Sequence, residues 1–230
     1  MNFEVIGVNI KLFFQAILKM LAGILLVALL LFAPAKTFDY WNAWLLIGVL
    51  FVQVFIAGIV LMIKSPELLK KRLNAKETEI AQKKVILLSA IMFILGFISA
   101  GASYRFSFLM FPNVVSIVAA IIFILGYILY AEVIRENPYI SRVIEIQENQ
   151  KVIDTGLYRV VRHPMYFATL LLFLSMPLIL GSIVSCVIFL AYPFIIFKRI
   201  KNEEEFLEKE LEGYVEYKKK VKYKIIPFIW

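Results

Sequence analysis

The sequence predicts an all-α integral membrane protein with about six membrane segments, the last two a helical hairpin, followed by a cytoplasmic C-terminal helix. Of 230 residues, 62% are hydrophobic and only 18% charged, with a mean hydropathy of +0.84. Soluble domains hold about 45–50% apolar and about 25% charged residues. A single domain of this size keeps too much surface exposed to hide the excess. The apolar residues also fall in runs long enough to cross a bilayer, about 20 residues each. The basic residues gather in alternate loops between those runs.

Four spans follow directly, at 12–33, 41–63, 85–104 and 114–134. The run from Leu12 is too long for a signal peptide and has no small-residue cleavage site, so a span is expected there. The loop 64–84 places Leu68, Leu69 and Leu73 at helical spacing, which predicts a short interfacial helix with solvated charges. Gly96 and Ala100, four residues apart, allow a close helix approach. The fifth apolar stretch, 164–197, holds 34 residues without a charge. As one helix it would run about 51 Å, too long for the bilayer. Pro177 and Gly181-Ser182 lie near its middle, so two shorter helices, 164–180 and 182–197, are expected as a hairpin.

The loop 64–84 carries seven Lys/Arg, 135–163 carries five, and the tail from Lys198 carries nine, of 25 in all. Six segments put all three regions on one side, so the positive-inside rule predicts both termini and these loops in the cytoplasm. This also accounts for the net charge of +8 without a nucleic-acid partner. One histidine, His163, and one cysteine, Cys186, cannot build a structural zinc site, and no metal is expected. No GxGxxG or GxxxxGK[ST] pattern occurs, which excludes the common phosphate cradles. The chain divides by composition into N-terminal helices, 1–135, and an information-bearing region, 136–230.

In that second region Pro164 suits the first turn of a helix, so Arg162 and His163 sit at its mouth. Free N–H groups there favour an anionic group. Farther on, Arg199, Glu203, Leu207 and Leu211 are spaced by four and form one stripe, with Glu204 at its border. The hairpin returns this stripe beside His163. A glutamate for an ammonium, an arginine for a carboxylate, and Tyr158 and Tyr166 for an aromatic ring or a cation suit an amino-acid-bearing ligand such as S-adenosylmethionine. Residue types alone do not single it out. Tyr214 and Tyr217 are expected to serve packing or interfacial anchoring.

The pattern Gly156-x-Tyr158-x-x-x-Arg162-His163-Pro164-x-Tyr166, then Arg199-x-x-x-Glu203-Glu204-x-x-Leu207, then Tyr214-x-x-Tyr217-x-x-x-Val221 and Pro227-x-x-Trp230 resembles the isoprenylcysteine carboxyl methyltransferase family. The resemblance covers about 142–230. It implies an integral membrane methyltransferase dependent on S-adenosylmethionine. It implies cofactor contacts from Gln150, Lys151, Val152 and Ile153, from Tyr158, from His163, Pro164, Met165 and Tyr166, and from Glu203. Arg162 and Glu204 adjoin these positions and complete the expected cofactor-binding set, while Arg199 falls on the substrate side. Two departures stand out: Ala168 where the family often has Gly, and Leu211-Glu-Gly213 where Phe-Gly is usual.

The expected function is methyl transfer to a lipophilic acceptor that enters from the bilayer among membrane lipids, most simply O-methylation of an isoprenylcysteine-type carboxylate. A carboxylate is ionised at neutral pH and needs no base. The alternatives are N-methylation of a phospholipid amine, an NADPH-dependent reductase of the sterol type, and a non-enzymatic membrane scaffold.

Overall fold

The computed structural model describes residues 10–74, 80–141 and 145–230. Among them the helices are α1 (Ile10–Ala35), α2 (Trp41–Lys64), α3 (Pro66–Asn74), α4 (Ile80–Arg105), α5 (Asn113–Glu136), α6 (Pro164–Ile179), α7 (Ile183–Phe189), α8 (Ala191–Glu210) and α9 (Tyr214–Lys220). The expected all-α membrane architecture is present. Helices α1, α2, α4, α5 and the rod Ile183–Glu210 are long and apolar enough to span, and α6 is a shorter apolar helix beside them. Their outward faces carry bare aliphatic and aromatic side chains such as Leu18, Leu25 and Phe194, at 70%, 71% and 78% exposure. A surface of that kind is stable only against hydrocarbon.

The turns 36–40, 106–112 and 180–182 meet at one end. Phe111 N–H donates to the Gly181 carbonyl at 2.7 Å, and Ser182 Oγ donates to Ser103 Oγ at 3.0 Å. The three basic regions lie at the opposite end. Helix α6 explains why the first end is so polar inside. Its 16 residues rise about 24 Å, short of a hydrocarbon core of about 30 Å. Its last carbonyls therefore end where no water can satisfy them. Side chains from other helices do so. Tyr40 Oη donates to the Leu180 carbonyl at 2.6 Å, Asn42 Nδ2 to that of Ile179 at 3.1 Å, and Ser116 Oγ to that of Leu178 at 3.3 Å.

The second limb of the hairpin departs from expectation. It breaks at Leu190 and then runs without interruption to Glu210, past the expected end at 197. Pro193 has no N–H to give the Phe189 carbonyl, which breaks the helix one turn earlier; no residue from Phe194 to Glu210 is a breaker. The polar stripe thus sits on the same rod that spans the bilayer, which fixes its height and rotation. Phe189 packs into α4 where Gly96 leaves room; a Cβ there would overlap the ring.

The expected interfacial helix is α3, with Leu69 buried. Its charges are not simply solvated. Arg72 donates to the Tyr130 hydroxyl and lies 5.5 Å from that ring's centroid, and Lys71 Nζ donates to Gln147 Oε1 at 3.0 Å. Residues 75–79, also part of that expected loop, and 142–144, the start of the resembling region, lie outside the described residues.

Candidate functional site

At the basic end, the loop after α5, the mouth of α6, the polar stretch of α8 and helix α9 enclose a cleft. Of the residues expected at the site, Gln150, Lys151, Val152, Ile153, Tyr158, Arg162, His163, Met165, Tyr166, Arg199 and Glu203 line it. Pro164 and Glu204 do not. Pro164 is the first residue of α6, where its missing N–H costs nothing. Ala168 is fully buried and lies outside the cleft, so its methyl group does not obstruct it.

Glu204, expected beside Glu203 in the cofactor-binding set, does not reach the cleft. It is the buried one, 3% exposed, and Glu203 is half-buried on the cleft wall. Arg162 Nε donates to Glu204 Oε1 at 2.8 Å, and His163 Nε2 lies 3.1 Å from the same oxygen. Lys224 Nζ stands 3.3 Å from Oε2. Arg162 Nη1 also donates to the carbonyls of Val221 and Lys222, at 2.7 and 2.8 Å. The backbone N–H groups of Arg162 and His163 donate to the carbonyls of Tyr223 and Lys224, at 3.0 and 2.8 Å. These bonds make a buried clamp that fastens the C-terminal tail across the mouth of α6. The clamp thus takes up the backbone N–H groups of Arg162 and His163, which were expected to face an anion, together with Nε and Nη1 of Arg162.

The cleft face carries a second set. Arg199 Nε donates to the Tyr166 hydroxyl at 2.8 Å, and that hydroxyl donates to Glu203 Oε2. Tyr166 thus joins a guanidinium to a carboxylate one helical turn apart on α8. Opposite them, the Tyr158 hydroxyl accepts from Asn137 Nδ2 at 3.0 Å, and Tyr217 Oη donates to the Tyr158 carbonyl at 2.7 Å. Burial pushes the phenols of Tyr158, Tyr214 and Tyr217 well above their ordinary value, so all three stay protonated at neutral pH.

The turn before Tyr158 depends on Gly156. Its φ of +53° is left-handed, and Glu136 packs directly against it while accepting from Leu157 N–H at 2.8 Å. A Gly156→Ala variant should lose about 1–2 kcal/mol from the backbone alone, and more from overlap with Glu136. A lowered melting temperature in detergent, with weakened ligand binding at the cleft, is the expected result; an unchanged melting temperature would contradict this.

Several cleft residues were not among the expected site residues, although Leu207, Leu211, Tyr214 and Tyr217 belonged to the stripe or the motif. Asn137, Tyr139, Ile140, Ser141 and Glu145 come from the loop after α5, and Leu207, Leu211, Tyr214 and Tyr217 from α8 and beyond. The pair Tyr214 and Tyr217, expected to serve packing or interfacial anchoring, forms part of the wall. Its three-residue spacing on one helix face was the available signal.

Comparison with curated proteins gives no match. Residues 114–212 match the family model described as phospholipid methyltransferase. The matched stretch opens at α5 and closes just past α8, so it contains Tyr158, the clamp residues Arg162, His163 and Glu204, and the linked set Tyr166, Arg199 and Glu203, while Tyr214 and Tyr217 fall beyond it. By fold the protein is an all-α integral membrane protein, and the stretch that builds most of the cleft is similar to the phospholipid methyltransferase family model over less than half of the chain.

Proposed function

We propose that the protein is a membrane methyltransferase that binds S-adenosylmethionine in this cleft and methylates a lipophilic acceptor arriving from the bilayer. The observation that carries the reading is the convergence of Glu203, Tyr166 and Arg199 on one cleft wall, inside the stretch that matches a methyltransferase family. The donor set suits the cofactor. Glu203 offers a carboxylate to an ammonium, and the tyrosines offer ring faces to an adenine or a sulfonium. When bound, S-adenosylmethionine would supply an electrophilic methyl group on sulfur, with the neutral thioether as leaving group.

The chain's own residues bind, align and dry the site. Helix α8 fixes Arg199 and Glu203 relative to the membrane, and Tyr166 holds both side chains in place. Such alignment accounts for much of the rate in a direct displacement. The neutral phenols around the cleft are poor bases, and His163 and Glu203, which also line it, are turned to Glu204 and Tyr166. This favours an acceptor that is already ionised, such as the carboxylate of an isoprenylcysteine-type lipid, with Arg199 on the acceptor side. The family match favours a phospholipid amine instead. We place the cleft and both termini in the cytoplasm, because the basic loops gather at that end.

Two measurements test this. Titration of the detergent-purified protein with S-adenosylmethionine and with NADPH should give binding of the first only; the reverse would support a reductase and overturn the reading. The rate of the chemical step should then be nearly flat from about pH 6 to 9 with a carboxylate acceptor, which stays ionised throughout. A rise of about tenfold per pH unit would assign the amine, which must first lose its proton.

A further inference from the structure

We propose that Tyr214 is a ligand-binding residue, its phenol donating a hydrogen bond to the carboxylate of the amino-acid end whose ammonium Glu203 holds. The inference rests on the reading of the cleft as an S-adenosylmethionine site and deepens it.

Tyr214 is 4% exposed and lines the cleft, and among the described residues its hydroxyl has no hydrogen-bond partner. The other cleft tyrosines that are equally buried are satisfied. Tyr158 meets Asn137, Tyr166 meets Glu203 and Arg199, and Tyr217 meets the Tyr158 carbonyl. A buried hydroxyl without a partner destabilises the fold, and native structures rarely keep one without a use. The ring of Tyr214 packs with Leu211, Tyr217 and Val221, which a phenylalanine would do equally well. Packing therefore explains the ring and leaves the oxygen unexplained.

Position gives the oxygen its use. Gly213, at a φ of +82°, turns the chain so that Tyr214 opens α9 beside the polar stretch of α8. The hydroxyl lies within electrostatic range of Glu203, Glu204 and Arg162. Glu204 is engaged by the clamp, while Glu203 lines the cleft. In an amino acid the ammonium and the carboxylate share one carbon. An ammonium on Glu203 therefore brings its carboxylate within reach of a neighbouring side chain. Arg162 and Arg199 each turn Nε to another partner, Glu204 and Tyr166, and Lys151 also lines the cleft; of the cleft's buried donors, the Tyr214 hydroxyl is the one without a partner among the described residues. A protonated phenol can only donate to a carboxylate, and the buried phenol of Tyr214 stays protonated.

The test compares wild type with Tyr214→Phe, both full-length in detergent. Affinity is measured for S-adenosylmethionine and for its decarboxylated form, and melting temperature is measured without ligand. Loss of a hydrogen bond to a charged group should weaken S-adenosylmethionine binding by about 10-fold or more. The decarboxylated cofactor should bind both proteins equally. The ligand-free variant should melt at the same temperature or higher, because it no longer buries an unsatisfied oxygen. Unchanged affinity for S-adenosylmethionine, an equal loss for both cofactors, or a variant that melts lower or fails to fold would each overturn the role of Tyr214. Failure of wild type to bind S-adenosylmethionine would instead overturn the reading of the cleft, and this inference with it.

Discussion

Glu204→Gln should lower the stability of the protein by about 3–5 kcal/mol, the range for removing one member of a buried ion pair. The loss leaves Arg162, 6% exposed, without its carboxylate. It also leaves Lys224, 3.3 Å away, without the charge it faces. Arg162 keeps its two bonds to the Val221 and Lys222 carbonyls, but neutral acceptors compensate a buried charge poorly. For a chain of this size each kcal/mol moves the melting temperature by about 2–4 °C, so a fall of roughly 6–20 °C is expected in detergent. Glu205→Gln is the control. Its side chain is 60% exposed and 3.9 Å from Lys201, and an exposed pair contributes little. The double variant Arg162→Met with Glu204→Leu should regain much of the loss, since apolar replacement of a buried pair is often close to neutral. If Glu204→Gln melted with wild type, the clamp would not be what holds the tail over α6.

The two glutamates also mark how far the sequence could be read. Span positions follow from hydropathy because bilayer thickness fixes helix length; α1, α2, α4 and α5 accordingly lie close to the expected ranges. The hairpin was legible at Gly181, whose φ of +73° ends the first limb; Pro177 lies inside α6 two residues before its last residue. The break at Leu190 was less so, because Pro193 acts one turn before its own position. Glu203 and Glu204 project about 100° apart on the same helix, and both faces are covered. Periodicity finds the covered side but does not separate a cleft from a tail packed over the helix. Only the docking of 221–224 beside Arg162 and His163 makes that distinction, and it joins segments roughly 60 residues apart with no local pattern. The carbonyl caps from Tyr40, Asn42 and Ser116 onto α6 were hidden for the same reason.

Glu203→Gln is the counterpart that should spare the fold and damage the site. The amide oxygen of glutamine can still accept from the Tyr166 hydroxyl, so the link to Arg199 persists and the melting temperature should stay near that of wild type. What disappears is the negative charge on the cleft wall. A charge-assisted hydrogen bond in a partly desolvated site contributes about 1.5–3 kcal/mol, so affinity for S-adenosylmethionine should fall about 10- to 150-fold. The opposite pattern is expected of Glu204→Gln, which should lose stability first. The pair of variants therefore separates a ligand contact from a structural ion by two readouts, binding and melting. Glu203→Gln that binds S-adenosylmethionine as wild type does would remove this carboxylate from the ammonium site. It would also leave the Tyr166–Arg199 linkage as a device for holding α6 against α8, with no part in recognition.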